Sequence, residues 1–190
     1  MEIKGHELEF YDDTHTYLVD GLVVPSITQI LSKKFGKKYN GVSAEVLKAR
    51  ASEGTEVHSA VERYCKTGEV IDLPEVRNFI FLKKAFEFEV LNNEVPVILF
   101  QNFEPIAAGR LDMVIKNKDG IGIADIKRTS VLDRDYLFYQ LNLYRIAYEQ
   151  CYDTQIDFLV GLHLKEKKRK YAPIPINAPM AWELILKEDK

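Results

Sequence analysis

An aspartate and a lysine stand two residues apart in the run Ile121-Gly122-Ile123-Ala124-Asp125-Ile126-Lys127. The run reads as a strand, and side chains on a strand alternate between faces, so Asp125 and Lys127 share one. A carboxylate and an ammonium therefore meet at the end of an otherwise apolar segment. A second acid, Asp112, follows Gly109-Arg110-Leu111 on what reads as the neighbouring strand, one hairpin turn away across Asn117-Lys118-Asp119-Gly120. Two carboxylates that reach a common point offer the oxygen ligands that Mg²⁺ or Mn²⁺ prefers, with positions left for water and phosphate. The backbone carbonyl of Ile126 can add a ligand. Lys127 then faces a scissile phosphate, where it stabilises developing charge or holds an attacking water in its ionised form. This is the equipment of a metal-dependent phosphodiester hydrolase. Acid and lysine also alternate on many exposed strands, so the pair takes its meaning from its companions.

The elements that position these residues follow from periodicity and punctuation. Leu8 to Val24 reads as short strands around turns at Asp12-Asp13 and Asp20-Gly21, and Ser26 can cap a short helix from Ile27 to about Lys34. A long helix is expected from Ser43 to about Lys66, with Thr55, His58, Glu62 and Cys65 on one stripe. Gly54 within it costs roughly 1 kcal/mol of helix stability, which suggests a close approach or a break between two helices. A further helix is expected from Pro74 to Leu91, with Phe79, Leu82, Phe86 and Val90 on its apolar side. The period then changes to that of strands at Val95–Phe100, Ile106–Ile115 and Ile121–Lys127, where the small Gly122 and Ala124 would let a helix pack closely. Asp133 caps a helix from Arg134 to about Cys151, on which Gln140 and Tyr144 project together one turn apart. A strand at Ile156–Leu164, a hairpin arm at Lys170–Ile176 and a helix from Ala178 to about Lys187 complete the chain, the last carrying Trp182 as a core anchor. Helices, three strands, helix and strand in that order define one α/β domain with a mixed sheet.

Composition bounds what this domain can be. With 190 residues and 46% hydrophobic content the chain can bury one full core. No apolar run approaches the roughly 20 residues that span a membrane, and the polar stretch from Met1 to Phe10 is no secretory signal. Cys65 and Cys151 stand far apart and outside any CxxC, which suits reduced thiols in a cytoplasm and excludes a cysteine-ligated zinc or iron–sulfur centre. The net charge of −3 does not advertise a nucleic-acid binder. Its distribution says more, because Lys33, Lys34, Lys37 and Lys38 form one basic cluster and Lys165, Lys167, Lys168, Arg169 and Lys170 another. Such runs are either solvated turns or a phosphate-facing rim, and composition leaves both open.

Taken together, five motifs resemble those of the PD-(D/E)XK nuclease superfamily, in its RecB-like and lambda-type exonuclease branch. They are Gly54-Thr55-Glu56-Val57-His58, Glu94-Val95-Pro96-Val97, Gly109-Arg110-Leu111-Asp112, Ala124-Asp125-Ile126-Lys127 and Gln140-Leu141-Asn142-Leu143-Tyr144, in that family's order and approximate spacing. The opening segment from Tyr11 to Leu31, with Pro25-Ser26-Ile27-Thr28, is similar to that of phage-encoded members. The resemblance implies a restriction-endonuclease-like core over residues 43–164, preceded by a β-hairpin and short helix (1–42) and followed by a hairpin arm and helix (165–190). It implies Asp112 and Asp125 as metal ligands, Lys127 as the catalytic lysine and His58 as an additional ligand. Glu94 would bind metal or position a water, though a structural glutamate at a strand edge fits as well. Gln140 and Tyr144 would contact DNA phosphate or support the site, with Arg128 and the lysines at 33, 34, 37 and 38 along the DNA track. His6, His15 and His163 match nothing in the pattern.

The expected activity is metal-dependent hydrolysis of DNA, most simply by an exonuclease of phage or prophage recombination in a bacterial cytoplasm. Partners implied are duplex ends or single-stranded DNA and a single-strand annealing or recombination protein. A ring-like homo-oligomer stays open. Two alternatives compete: a structure- or sequence-specific endonuclease on the same core, and a module that binds DNA without cutting. No GxxxxGK[ST] occurs, so unwinding would come from elsewhere.

Overall fold

The computed structural model describes residues 1–36 and 43–186. Lys37 and Lys38 lie outside the described residues. The chain forms one α/β domain whose mixed five-stranded sheet is flanked by helices. Among the described residues, no helix is long and apolar enough to cross a membrane.

The sheet contains β5 (Glu89–Gln101), β6 (Glu104–Asn117), β7 (Gly120–Lys127), β8 (Phe158–Lys165) and β9 (Lys168–Ile174), in that spatial order. All neighbours are antiparallel except β7 and β8, which run parallel because α4 (Arg134–Tyr152) provides the crossover between them. A smaller antiparallel sheet precedes it: β1 (Glu2–Ile3), β2 (His6–Tyr11), β3 (Thr16–Val19) and β4 (Leu22–Val24). The N-terminal region is thus four strands rather than the expected hairpin. It joins the main sheet at a bridge between Ser26 and Ala108, where the Ala108 N–H donates to the Pro25 carbonyl (3.0 Å).

Two apolar layers hold the main sheet. On one side Leu137 and Leu141 of α4, Ile27 and Leu31 of α1 (Ile27–Phe35), and Leu184 and Ile185 of α5 (Ala178–Leu186) pack with Val97, Leu99 and Ile123. On the other, Val57 and Val61 of α2 (Ala44–Thr67) and Val76, Phe79 and Leu82 of α3 (Pro74–Ala85) pack on Met113, Ile115, Ala124, Ile126 and Leu162. Trp182 is half-buried against the first layer.

Both expected caps form. Ser26 Oγ accepts from the Gln29 N–H (3.0 Å) while Gln29 Oε1 accepts from the Ser26 N–H (2.8 Å), a reciprocal capping box. Asp133 accepts from the Tyr136 N–H (3.1 Å) at the start of α4.

Three sequence expectations are corrected. Helix α3 stops at Ala85, because Glu87 takes a left-handed backbone (φ 49°) and the chain turns into β5, which claims Val90. Phe86 is exposed and stacks on Tyr171 at 4.0 Å between ring centroids instead of facing a helix core. Gly54 neither breaks α2 nor meets a neighbour; a Cβ there would point into open space. Of the small pair on β7, Ala124 does face the α2/α3 layer, whereas Gly122 is covered by the ring of Phe158.

Two edges bound the main sheet, and they differ in kind. Along β5, side chains from the end of α4 occupy the outward backbone groups. Cys151 Sγ accepts from the Ile98 N–H and donates to its carbonyl (both 3.2 Å). Gln150 does the same for Phe100 (2.9 and 3.0 Å), and the Tyr152 hydroxyl donates to the Pro96 carbonyl (2.7 Å). Along β9, the residues Lys168, Arg169 and Lys170 stand exposed.

Candidate metal centre and cleft

The chemistry-bearing residues converge from four elements. Glu94 on β5 and Asp112 on β6 are framed by the register pairs Asn93–Met113 and Val95–Leu111. Between those pairs Glu94 adopts a left-handed backbone (φ 50°), a strained conformation for a non-glycine residue that turns its carboxylate toward the site. His58 arrives from α2 across the sheet. One ligand atom each from His58, Glu94 and Asp112 lies within 4.8 Å of the other two, a donor set that can hold a metal ion.

Hydrogen bonds fix this set. His58 Nδ1 lies 3.4 Å from Asp112 Oδ1, and its Nε2 lies 3.2 Å from the Ile126 carbonyl. Asp112 Oδ2 accepts from the Ile126 N–H at 2.6 Å, tying the ligand to β7. Glu94 Oε2 pairs with Arg110 Nε at 2.6 Å. On β7, Lys127 Nζ lies 2.6 Å from Asp125 Oδ2, whose side chain is 3% exposed. The contact is one of charge, off the hydrogen-bonding direction, so Asp125 Oδ2 has no aligned donor.

Burial and charge divide the titrations. Burial disfavours the His58 imidazolium, but the Asp112 carboxylate and its hydrogen bond outweigh this and push His58 up to about 9. Asp112 also suffers from burial, yet the His58 charge holds it below the usual carboxylate range. Burial raises Asp125 to about 6 against the pull of Lys127. Glu94 is raised as well, by burial and then by repulsion from Asp112. Lys127 is raised despite burial, because Asp125 and Asp112 favour the ammonium. It is therefore a cation at neutral pH, suited to stabilising negative charge rather than to accepting a proton.

These groups line one cleft of about 450 Å³. Its back wall is α4, where Gln140 is 5% exposed and its Oε1 has no hydrogen-bond partner. Tyr144 packs against Gly109 so closely that a Cβ on that glycine would stand 2.8 Å from the ring, which gives the Gly109-Arg110-Leu111-Asp112 motif a steric reason for its glycine. Two buried acceptors without aligned donors, Asp125 Oδ2 and Gln140 Oε1, fit a site built to receive a cation and its ligands.

Each site residue expected from sequence has a definite place. His58, Glu94, Asp112, Asp125, Lys127, Gln140 and Tyr144 share the cleft. Within it Asp125 stands with Lys127 rather than in the compact His58/Glu94/Asp112 group, and the Ile126 carbonyl faces the His58 ring. Arg128 is engaged elsewhere: its guanidinium is held by Glu53 and by Glu75 (2.9 Å), which binds β7 to α2 and α3. Lys33 and Lys34 are exposed on α1, with Lys34 Nζ 3.9 Å from the Tyr139 ring centroid. His163 is buried and pairs with the Thr129 carbonyl at 2.7 Å.

Sequence reading missed the front wall. His15, Tyr17, Ser26 and Thr28 line the cleft from the N-terminal sheet and α1. The available signal was the alternation of His15 and Tyr17 after the Asp12-Asp13 turn, which puts both on one face.

No protein-family model matches the chain, and no curated protein does. Among solved structures it is similar to the one titled "Crystal structure of SSO0001", with a TM-score of 0.47 and 14% identity over 86% of this chain and 74% of that one.

Proposed function

We propose that this protein is a metal-dependent deoxyribonuclease with a PD-(D/E)XK core, of the RecB-like or lambda-type kind met in phage and prophage recombination. The observation that supports it most is the convergence of His58, Glu94 and Asp112 with the Asp125–Lys127 pair in one cleft. His58, Glu94 and Asp112 would hold Mg²⁺ or Mn²⁺, with Asp125 at its side. When bound, the ion supplies Lewis-acid polarisation of a phosphate oxygen and lowers the pKa of water.

The chain's own residues do the rest. Lys127, a cation fixed by Asp125, faces the cleft and stabilises negative charge as it grows on the phosphate. Gln140 Oε1, buried and without a donor, accepts from an O–H or N–H of what enters. Arg128 keeps α2 against β7, so that His58 stays over Asp112. DNA would be drawn by local cations, Lys33 and Lys34 on one side and the β8–β9 lysines on the other, which a negative total charge allows. Binding should weaken steeply with salt.

The test is incubation with Mg²⁺ or Mn²⁺ on linear duplex, circular duplex and single-stranded DNA. Wild type should cut, while Lys127→Ala and Asp125→Ala should lose cutting and keep the fold. Digestion confined to linear DNA supports an exonuclease; nicking of circles supports the endonuclease alternative. Equal activity in the wild type and both variants would remove the site assignment.

A further inference from the structure

The front wall of the cleft is aromatic and belongs to the N-terminal sheet. Phe10, His15 and Tyr17 form one ring cluster, with centroids 4.5 Å apart for Phe10–Tyr17, 5.4 Å for Phe10–His15 and 6.0 Å for His15–Tyr17. Arg110 extends it, its guanidinium 5.3 Å from the Phe10 ring while its Nε holds Glu94. Tyr17 is buried within this cluster, and His15 is exposed at the cleft. His15 is held there by a left-handed backbone (φ 50°) at the end of the Asp12-Asp13 turn.

Size and depth restrict what enters. A volume of about 450 Å³ lies in the range that encloses one small ligand. Duplex DNA, whose grooves alone are about 12 Å and 6 Å wide, cannot bring a phosphate to carboxylates at the floor of such a cleft. Asp125 and Asp112 there are 3% and 14% exposed. A separated strand can, and proteins that hold single strands without sequence preference stack bases on aromatic side chains.

We propose that the cleft takes a single-stranded DNA end and that the His15 ring, backed by Phe10 and Tyr17, stacks on one of its bases. This rests on the nuclease reading above and adds a substrate form and a binding residue to it.

The experiment is fluorescence anisotropy with the Lys127→Ala protein in Ca²⁺, using a labelled single strand, a blunt duplex and duplexes with 5′ or 3′ overhangs. Single strands and overhangs should bind at least about ten-fold tighter than the blunt duplex, and His15→Asn should remove about ten-fold of that. Asparagine tolerates the left-handed backbone, so the ring is lost without unfolding the turn, and an unchanged Tm checks this. A strand with an abasic terminal nucleotide should bind wild-type His15 about ten-fold more weakly, and His15→Asn should then cost nothing more, because the two changes remove one contact.

Equal binding of blunt duplex and single strand, or full binding by His15→Asn, overturns the proposal. So does an abasic end bound as tightly as an intact one. A protein with intact Lys127 that cuts none of the DNAs would instead overturn the nuclease reading while the stacking result stands.

Discussion

Because His58 both pairs with Asp112 and stands in the metal-ligand group, a proton competes with the cation. With His58 at about 9, nearly all of the metal-free protein carries an imidazolium at pH 7, and a metal must displace that proton. Each unit of pH below 9 lowers the apparent affinity about ten-fold, so at pH 7 it is about a hundred-fold below its limit. Asp125, at about 6, is already ionised above neutrality, so between pH 7 and 8.5 the slope reports chiefly His58. Calorimetric titration with Mn²⁺ in two buffers of different ionisation heat should find about one proton released per ion. His58→Gln should release none and bind with little pH dependence. An affinity that is flat from pH 7 to 8.5 in the wild type, or proton release that survives His58→Gln, refutes the reasoning. Stability must move the opposite way. The folded pKa of His58 lies above its ordinary 6.5, so the stabilisation it brings is fully present below pH 6.5 and lost as pH rises through about 9. It amounts to about 3 kcal/mol at most. Metal-free protein should melt progressively lower across that window, while metal-saturated protein should not.

Three further substitutions test individual contacts. Gly109→Ala places a methyl 2.8 Å from the Tyr144 ring and should cost about 1–3 kcal/mol; urea unfolding reads it, and an unchanged midpoint would contradict the close packing. Arg128→Ala strands Glu75, 3% exposed, without its cation and should cost about 3–5 kcal/mol, largely restored by adding Glu75→Gln. If Arg128→Ala instead leaves stability intact and reduces DNA binding alone, Arg128 serves the DNA track. Glu94→Gly relieves a left-handed backbone worth about 1–3 kcal/mol while deleting a ligand. Its unfolding midpoint should hold or rise while Mn²⁺ affinity falls, and a large loss of stability would show that Glu94 is chiefly structural.

What the sequence made legible is local. The shared face of Asp125 and Lys127 follows from strand alternation, and Ser26 and Asp133 declare helix starts by residue type. The turn at Asn117–Gly120 brought β6 beside β7 as read, and so Asp112 near Asp125. Features set by distant contacts stayed hidden. The partners of Arg128 lie at Glu53 and Glu75, and the approach of His15 depends on a single bridge between Ser26 and Ala108. Helix α3 seemed to continue to Leu91 because Phe86 and Val90 keep helical spacing. Only the left-handed turn at Glu87, which no propensity announces, ends it. Glu94 was legible as a candidate, but its backbone strain, and hence its aim at Asp112, was not.

The two guarded edges of the main sheet carry a consequence for handling the protein. An unpaired strand edge is a template for another chain, and this sheet closes its edges by unlike means. The α4 side chains that cover β5 act through short-range bonds that ionic strength does not weaken. β9 relies on repulsion among Lys168, Arg169 and Lys170, which is screened within about 8 Å at physiological salt and about 3 Å at 1 M. Concentrated salt therefore strips protection from one side of the sheet only, and self-association should begin there, strand to strand along β9. The colloidal behaviour of the protein is thus written into one edge, and a buffer chosen to release bound DNA would be the one that exposes it.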